Sequence, residues 1–482
     1  MYLGLDLGTS GLKALIVDQN GAPVATAHAQ YDVSQPHPNW SEQDPDEWVK
    51  ACGAVFDQLR KNHPTEFTNI RAISLSGHMH GAVVVDIYGK PIRPCILWND
   101  MRSETEAAQL DKDPDFRAIS GNIVFPGFTA PKLMWMKKHE PDLFDHVHKV
   151  LLPKDYLLYW LTNRYVTDMS DAAGSSWLDV GKRAWSETLL TASGMRIDQM
   201  PDLIEGSQIA GILNSKIAQK FGLQNDIKII AGGADNAVAA CGVGAAQEGQ
   251  GFVSLGTSGV LLAAKNGYHP APETAVHTFC HAIPERWYQM GVMLSATNSL
   301  NWLANSLNTT PEELSKLCAG PITGPSKVMF LPYLSGERTP HNDADIGGAF
   351  IGLKSDTTSS DLCQAVMEGV SFALRDCLEA LKSTGTELNE VLAIGGGTKS
   401  EFWLDTLSTI LGLRLALPDK GDFGAALGAA RLAMIGDGAD IETTLVAPTI
   451  AKRISPNTQL QSKYEAAYQR FRKLYPLIKE AS

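Results

Sequence analysis

The pentapeptide Leu-Gly-Thr-Ser-Gly occurs twice in this chain, at Leu7–Gly11 and at Leu255–Gly259, each time at the end of a short apolar run. A turn of this composition reverses the chain between two strands. It also leaves backbone N–H groups and two hydroxyls with no bulky side chain beside them, a surface suited to anions and to phosphate above all. One such turn usually does no more than reverse the chain. Two copies half a chain apart, the first preceded by the strand-end acid Asp6, suggest two related halves that face one nucleotide.

The flanking pattern supports a repeat. Met1–Asp18 alternates apolar residues around the first turn and leads through Gln19–Ala22 into Pro23–Tyr31, the opening of a β-meander. Around Gly244–Gly251 the pattern restarts: Gly251–Leu255, turn, Val260–Lys265, turn, Trp287–Gly291. The boundary is therefore expected near residue 248, giving halves 1–247 and 248–482. Helices are expected at Asp44–Lys61, Ala130–His139, Asp155–Leu161, Ser360–Leu381 and Gly424–Ile435, and buried strands at Ile70–Ser76, Ile227–Gly232 and Glu390–Ile394. The small residues of Gly424–Ile435 permit close packing or close ligand approach. In the amphipathic tail Ser462–Ile478, the stripe Tyr464, Tyr468, Phe471, Leu474 and Leu477 reads as core.

With 482 residues, 44% hydrophobic and 20% charged, the chain can build several ordinary globular cores. Its formal net charge of −12 argues against nucleic acid and anionic membrane as partners. It leaves an anionic cosubstrate open, because loop amides and a metal supply positive potential locally. Seven scattered cysteines without a CxxC pair read as buried thiols, which points to a reducing cytoplasm. No apolar run reaches the roughly 18 residues that a membrane span requires.

Two strand-end carboxylates carry the expected chemistry. Asp6 adjoins the turn Gly8, Thr9 and Ser10, where a carboxylate can hold the hydrated Mg²⁺ that bridges nucleotide phosphates. Lys13, just past that turn, can counter phosphate charge. Asp235, in Gly232-Gly-Ala-Asp-Asn236, can accept the proton of an attacking hydroxyl; an Asp ahead of a helix is also a common N-cap. Gly395–Gly397 and Ser400 offer a flat bed for an adenine or ribose, or form a loose loop. His78 and His80 lack the neighbouring ligands a metal site needs. Trp98-Asn-Asp100 offers an aromatic wall of the kind seen in sugar pockets.

Taken together the chain resembles the FGGY carbohydrate kinases, within the superfamily of sugar kinases, heat-shock ATPases and actin. The resemblance rests on both phosphate turns, on Gly127-Phe-Thr-Ala-Pro-Lys132-Leu-Met-Trp135, on Gly348-Ala-Phe-Ile-Gly-Leu353 with Asp361-Leu362 and Ala365-Val-Met-Glu368, and on Gly395–Gly397 with Ser400. It implies an α/β fold of two duplicated actin-like (ribonuclease H-like) domains, each a mixed five-stranded sheet flanked by helices, around a central cleft. Met79-His80-Gly81, Leu97-Trp-Asn-Asp100, Leu152-Pro-Lys-Asp-Tyr156, Ser170-Asp-Ala-Ala-Gly174, His277-Thr-Phe-Cys-His281 and Leu331–Pro340 resemble the branch that acts on ketopentoses.

The resemblance implies phosphorylation of D-xylulose on O5 by ATP with Mg²⁺, in a cytoplasmic enzyme that forms a homodimer. Asp235 would be the general base and Asp6 would lie by the metal. Met79, His80, Trp98, Asp235 and Asn236 would bind the sugar. Gly8, Thr9, Ser10, Lys13, Gly256, Thr257, Gly396, Gly397 and Ser400 would bind ATP. His78 stands where glutamine is usual, and Ala234 where glycine is usual. The alternatives are a kinase for ribulose, gluconate or glycerol, or an actin-like or chaperone ATPase.

Overall fold

Both Gly-Thr-Ser-Gly segments fold as tight turns of antiparallel hairpins, and each hairpin seeds a sheet of the same topology. The computed structural model describes residues 1–419 and 424–481. The first sheet contains β1 (Tyr2–Leu7), β2 (Gly11–Val17), β3 (Pro23–Gln30), β4 (Ala72–Gly77), β5 (Ile209–Ile212) and β6 (Lys228–Ala234), in the order β5-β6-β4-β1-β2-β3. The second contains β7 (Gly251–Leu255), β8 (Gly259–Lys265), β9 (His277–Cys280), β10 (Trp287–Met293), β11 (Glu390–Ile394), β12 (Arg414–Pro418) and β13 (Ile450–Ile454), in the order β9-β10-β8-β7-β11-β12-β13.

In both sheets an antiparallel meander of three strands continues into two parallel strands: β4 and β6 in the first, β11 and β12 in the second. The duplicated core is thus five strands, as the repeat implies. The sheets themselves are larger, with six and seven strands. Antiparallel edge strands account for the difference: β5 on β6, β9 on β10 and β13 on β12. They are short and satisfy one ladder only, so their sequences carry little alternation.

Helices cover the sheets: α1 (Pro45–Asn62), α2 (Thr129–His139), α3 (Pro153–Thr162), α4 (Asp235–Val243), α5 (Thr297–Ser306), α6 (Ser359–Ser383), α7 (Glu401–Leu411), α8 (Gly424–Gly436) and α9 (Gln461–Ala481). Asp44 caps α1 through the Asp46 amide with Pro45 at the first turn, and Trp48, Val55 and Leu59 lie on its buried face. In α9, Tyr464, Tyr468 and Phe471 are buried, whereas Leu477 is exposed at 59%, so the apolar stripe ends one turn earlier than its spacing implies. All seven cysteines are free and buried. Among the described residues no helix is long and apolar enough to cross a membrane.

The helices that follow the last parallel strand of each half trade places. Helix α8, from the second half, packs on the first sheet, where Ala426, Ala430, Ala433 and Met434 join Tyr2, Leu15, Val17, Ala72 and Ile230. Helix α4, from the first half, shares a core with Phe252, Leu262, Phe279 and Leu392 of the second. The two cross in close contact. A Cβ on Gly428 would sit 1.8 Å from the Val238 carbonyl oxygen, and one on Gly4 of β1 would sit 2.0 Å from that of Ala426. Arg431 of α8 donates to the Cys241 and Gly242 carbonyls at the C-terminal end of α4, at 2.9 and 3.0 Å. Just past α8, Asp437 accepts from Tyr2 and pairs with Arg71 and Lys228, each at 2.7 Å.

Candidate active site

The first Gly-Thr-Ser-Gly turn is oriented by its carbonyls. Tyr31 donates its hydroxyl to Gly8 O at 2.5 Å and its amide to Ser10 O, and Gln43 donates Nε2 to Thr9 O at 2.6 Å. In a trans peptide the C=O of one residue is antiparallel to the N–H of the next. Tying back the carbonyls of Gly8, Thr9 and Ser10 therefore turns the N–H groups of Thr9, Ser10 and Gly11 the other way.

Beside this turn a cavity of about 240 Å³ is lined by Asp6, Leu7, Gly8, Thr9, His78, Asp235, Asn236, Ala239 and Ala425. The two strand-end carboxylates, 229 positions apart in sequence (235 − 6), thus share one chamber with the turn. Asp235 is the first residue of α4, and Ala234 occupies the N-cap position that an N-capping Asp would have taken. Its Oδ1 accepts from the Asn236 amide at 2.6 Å and from Asn236 Nδ2 at 2.9 Å. Burial, with Asp6 adding its charge against those two bonds, pushes the Asp235 carboxyl up to about 7. A carboxylate poised there can take a proton from a hydroxyl at neutral pH.

His78 is the residue the sequence reading left outside the site. It is buried, packs edge-on against Trp48 with centroids 5.5 Å apart, and has no hydrogen-bond partner on either ring nitrogen among the described residues. Burial and the nearby Lys132 push it down to about 3, so the ring is neutral.

Of the expected sugar contacts, Asp235 and Asn236 line this cavity, and Met79, His80 and Trp98 do not. Met79 is buried, its sulfur 4.0 Å from the Tyr288 hydroxyl. His80 Nδ1 is 2.7 Å from the Gly174 carbonyl. A carbonyl only accepts, so Nδ1 carries the hydrogen and Nε2 keeps its lone pair. Burial pushes His80 down to about 3, which keeps it neutral. Trp98 is 47% exposed and donates Nε1 to Thr9 Oγ1 at 3.0 Å, so it braces the first Gly-Thr-Ser-Gly turn. Lys13 is exposed and stands opposite Asp6 in the β1–β2 ladder, on the same face.

The second turn is held in the same manner as the first. The amides of Ala296 and Asn298 donate to Thr257 O, and Thr297 donates its amide and its hydroxyl to Gly256 O. That seats the turn on the N-terminus of α5 and turns the N–H groups of Thr257 and Ser258 away from it. A larger cavity of about 1120 Å³ opens beyond, lined by Thr297, Asn301, Gly396, Gly397, Ser400 and Trp403 among others. A Cβ on Gly396 would meet nothing within 4 Å, so its backbone faces open space. Ser400 also caps α7 through the Trp403 amide.

Behind Asp235 lies an ionic cluster that sequence spacing does not reveal. Lys154 is fully buried and pairs with Asp155 at 2.5 Å, Asp168 at 2.8 Å and Asp171 at 3.7 Å, all equally buried. Asp168 accepts from Ser170, whose Oγ accepts the Ala234 amide at 3.1 Å, so the cluster reaches the backbone next to Asp235. Only the motifs Leu152–Tyr156 and Ser170–Gly174 hint at it, because what an aspartate pairs with depends on the fold.

Residues 1–242 match the model of the N-terminal domain of the FGGY family of carbohydrate kinases, and residues 251–436 match that of its C-terminal domain. The chain is 43% identical over 480 residues to a xylulose kinase of Escherichia coli, covering 98% of each. It is 42% identical to a xylulose kinase of Klebsiella pneumoniae, covering 99% of each. Its fold is similar to a crystal structure from Brucella ovis described as a xyloylose kinase, with a TM-score of 0.98, 54% identity and 100% of both chains covered.

Proposed function

The chain belongs to the FGGY family of carbohydrate kinases, and on that premise we propose that it transfers the γ-phosphoryl group of ATP to O5 of D-xylulose. The observation that carries the reading is the single chamber joining Asp6, the first phosphate turn and Asp235. The names of the Escherichia coli and Klebsiella pneumoniae relatives favour D-xylulose as acceptor.

In this reading Asp235 takes the proton from the O5 hydroxyl as the O5–P bond forms and the bond to the departing ADP breaks. Asn236 holds the Asp235 carboxylate in register, and Met79, His80 and Trp98 contact the sugar. His80 Nε2, an acceptor, suits a hydroxyl donor. The N–H groups of the two turns, with Gly8, Thr9, Ser10, Gly256 and Thr257, receive the phosphates, and Lys13 adds charge on the Asp6 side. Gly396, Gly397 and Ser400 bed the adenosine. The sugar side is residues 1–247 and the adenosine side residues 248–482.

Among the described residues no three His, Cys, Asp or Glu side chains group as a metal cage. A lone carboxylate such as Asp6 beside a phosphate turn fits Mg²⁺ that is held mainly by water and nucleotide phosphates. When bound, Mg²⁺ would neutralise charge on the transferring phosphoryl group.

The test is a coupled assay of ATP turnover across ketopentoses, aldoses and polyols. D-Xylulose should raise turnover and give the highest kcat/KM. A higher value for ribulose, gluconate or glycerol would reassign the acceptor. Turnover indifferent to every sugar would return the chain to the actin-like ATPases.

A further inference from the structure

His80 is held in an uncommon backbone shape. Its φ is +69°, and the Gly81 amide donates to the Met79 carbonyl at 2.9 Å across it. A three-residue turn closed around a non-glycine residue with positive φ is rare and strained, and it persists only where the surroundings enforce it.

The enforcement comes from the first turn of α2. Thr129 opens that helix, and its Oγ1 donates to the His80 carbonyl at 3.1 Å. Lys132, three residues on and so on the same helix face, donates Nζ to the same carbonyl at 2.8 Å and to Gly127 O at 2.6 Å. Phe128, just ahead of Thr129, stacks on the imidazole with centroids 4.3 Å apart and planes 19° apart. Lys132 is fully buried and makes no ion pair among the described residues. A buried ammonium that meets only neutral carbonyls is costly to retain, and burial pushes it down to about 7. A methionine would fill the same space without that cost.

We propose that Thr129 and Lys132 are positioning residues for acceptor recognition, clamping the His80 carbonyl so that the imidazole presents Nε2 to an acceptor hydroxyl in one orientation. The inference rests on the reading of His80 as a sugar contact, and it assigns a task to the stretch Gly127–Trp135 that the phosphate chemistry leaves unused.

The full-length chain carrying Lys132→Met, Thr129→Val or Thr129→Ser tests this. Lys132→Met should lower acceptor kcat/KM by about 10–100-fold and Thr129→Val by about 3–10-fold, mostly through KM, while KM for ATP stays within about twofold. Thr129→Ser keeps the donor and should stay within about twofold of the parent in all parameters. In ¹⁵N spectra of the ring, His80 should change from a single Nδ1–H tautomer in the parent to a mixture in Lys132→Met. Unaltered acceptor KM in both Lys132→Met and Thr129→Val, or acceptor and ATP parameters falling together alongside a lost unfolding transition, overturns the clamp. Failure of the xylulose reading looks different: the parent prefers another acceptor, and the variants are then compared on that one.

Discussion

In the proposed reaction, Asp235 supplies the rising limb of the pH response. Its carboxyl is held near 7 chiefly by burial, and only the ionised form can accept a proton. Acceptor kcat/KM should therefore rise about tenfold per pH unit below that value and level off above it. His80 and His78, both held near 3, contribute no limb between pH 5 and 8. Asp235→Asn keeps the shape and removes the base, so turnover should fall about 10²-fold or more and the rising limb should vanish. A pH–rate profile of both proteins checks this, and an Asn variant with near-parental turnover would remove Asp235 from the chemistry. Both carboxylates were legible in sequence because each ends an apolar strand beside small residues. His78 and Lys132 were not. A histidine two positions from another, or a lysine in an amphipathic run, gives no sign that the fold will bury it.

At the scale of elements, local chemistry announced where most helices begin. Helix α1, expected over Asp44–Lys61, is found at Pro45–Asn62 with Asp44 as its cap, whereas α7, which Ser400 caps, was not expected. The edge strands β5, β9 and β13 were invisible for the reason that makes them edges. The small-residue face of α8 was visible, but not what it meets, since periodicity states that a face is narrow and leaves its neighbour open. Gly428 turns this into a measurement. In an exposed helix, Gly→Ala gains about 1 kcal/mol from helix propensity. Here the added carbon would lie 1.8 Å from a backbone oxygen of α4, so Gly428→Ala should instead cost about 1–3 kcal/mol through forced separation. Denaturant titration gives the sign directly, and a stabilised variant would mean that the crossing is looser than described.

For the molecule as a whole, the repeat in sequence and the units in space do not coincide. Cutting the chain at residue 247 would strip α8 from the first sheet and bare Tyr2, Leu15, Val17, Ala72 and Ile230. Residues 1–247 expressed alone should bind hydrophobic dyes and lack a cooperative unfolding transition, and co-expression with 248–482 should restore both solubility and turnover. A monomeric, cooperatively folding 1–247 would refute this. The crossing of α4 and α8 also governs how such a chain can change over generations. Val238 and Gly428 belong to different halves of the chain, yet a methyl gained by one must be answered by room ceded by the other. Chimeras joining the first half of this chain to the second half of a distant relative should therefore fail more often than their separate sequence similarities suggest, because each parent's halves have been fitted to one another along that seam.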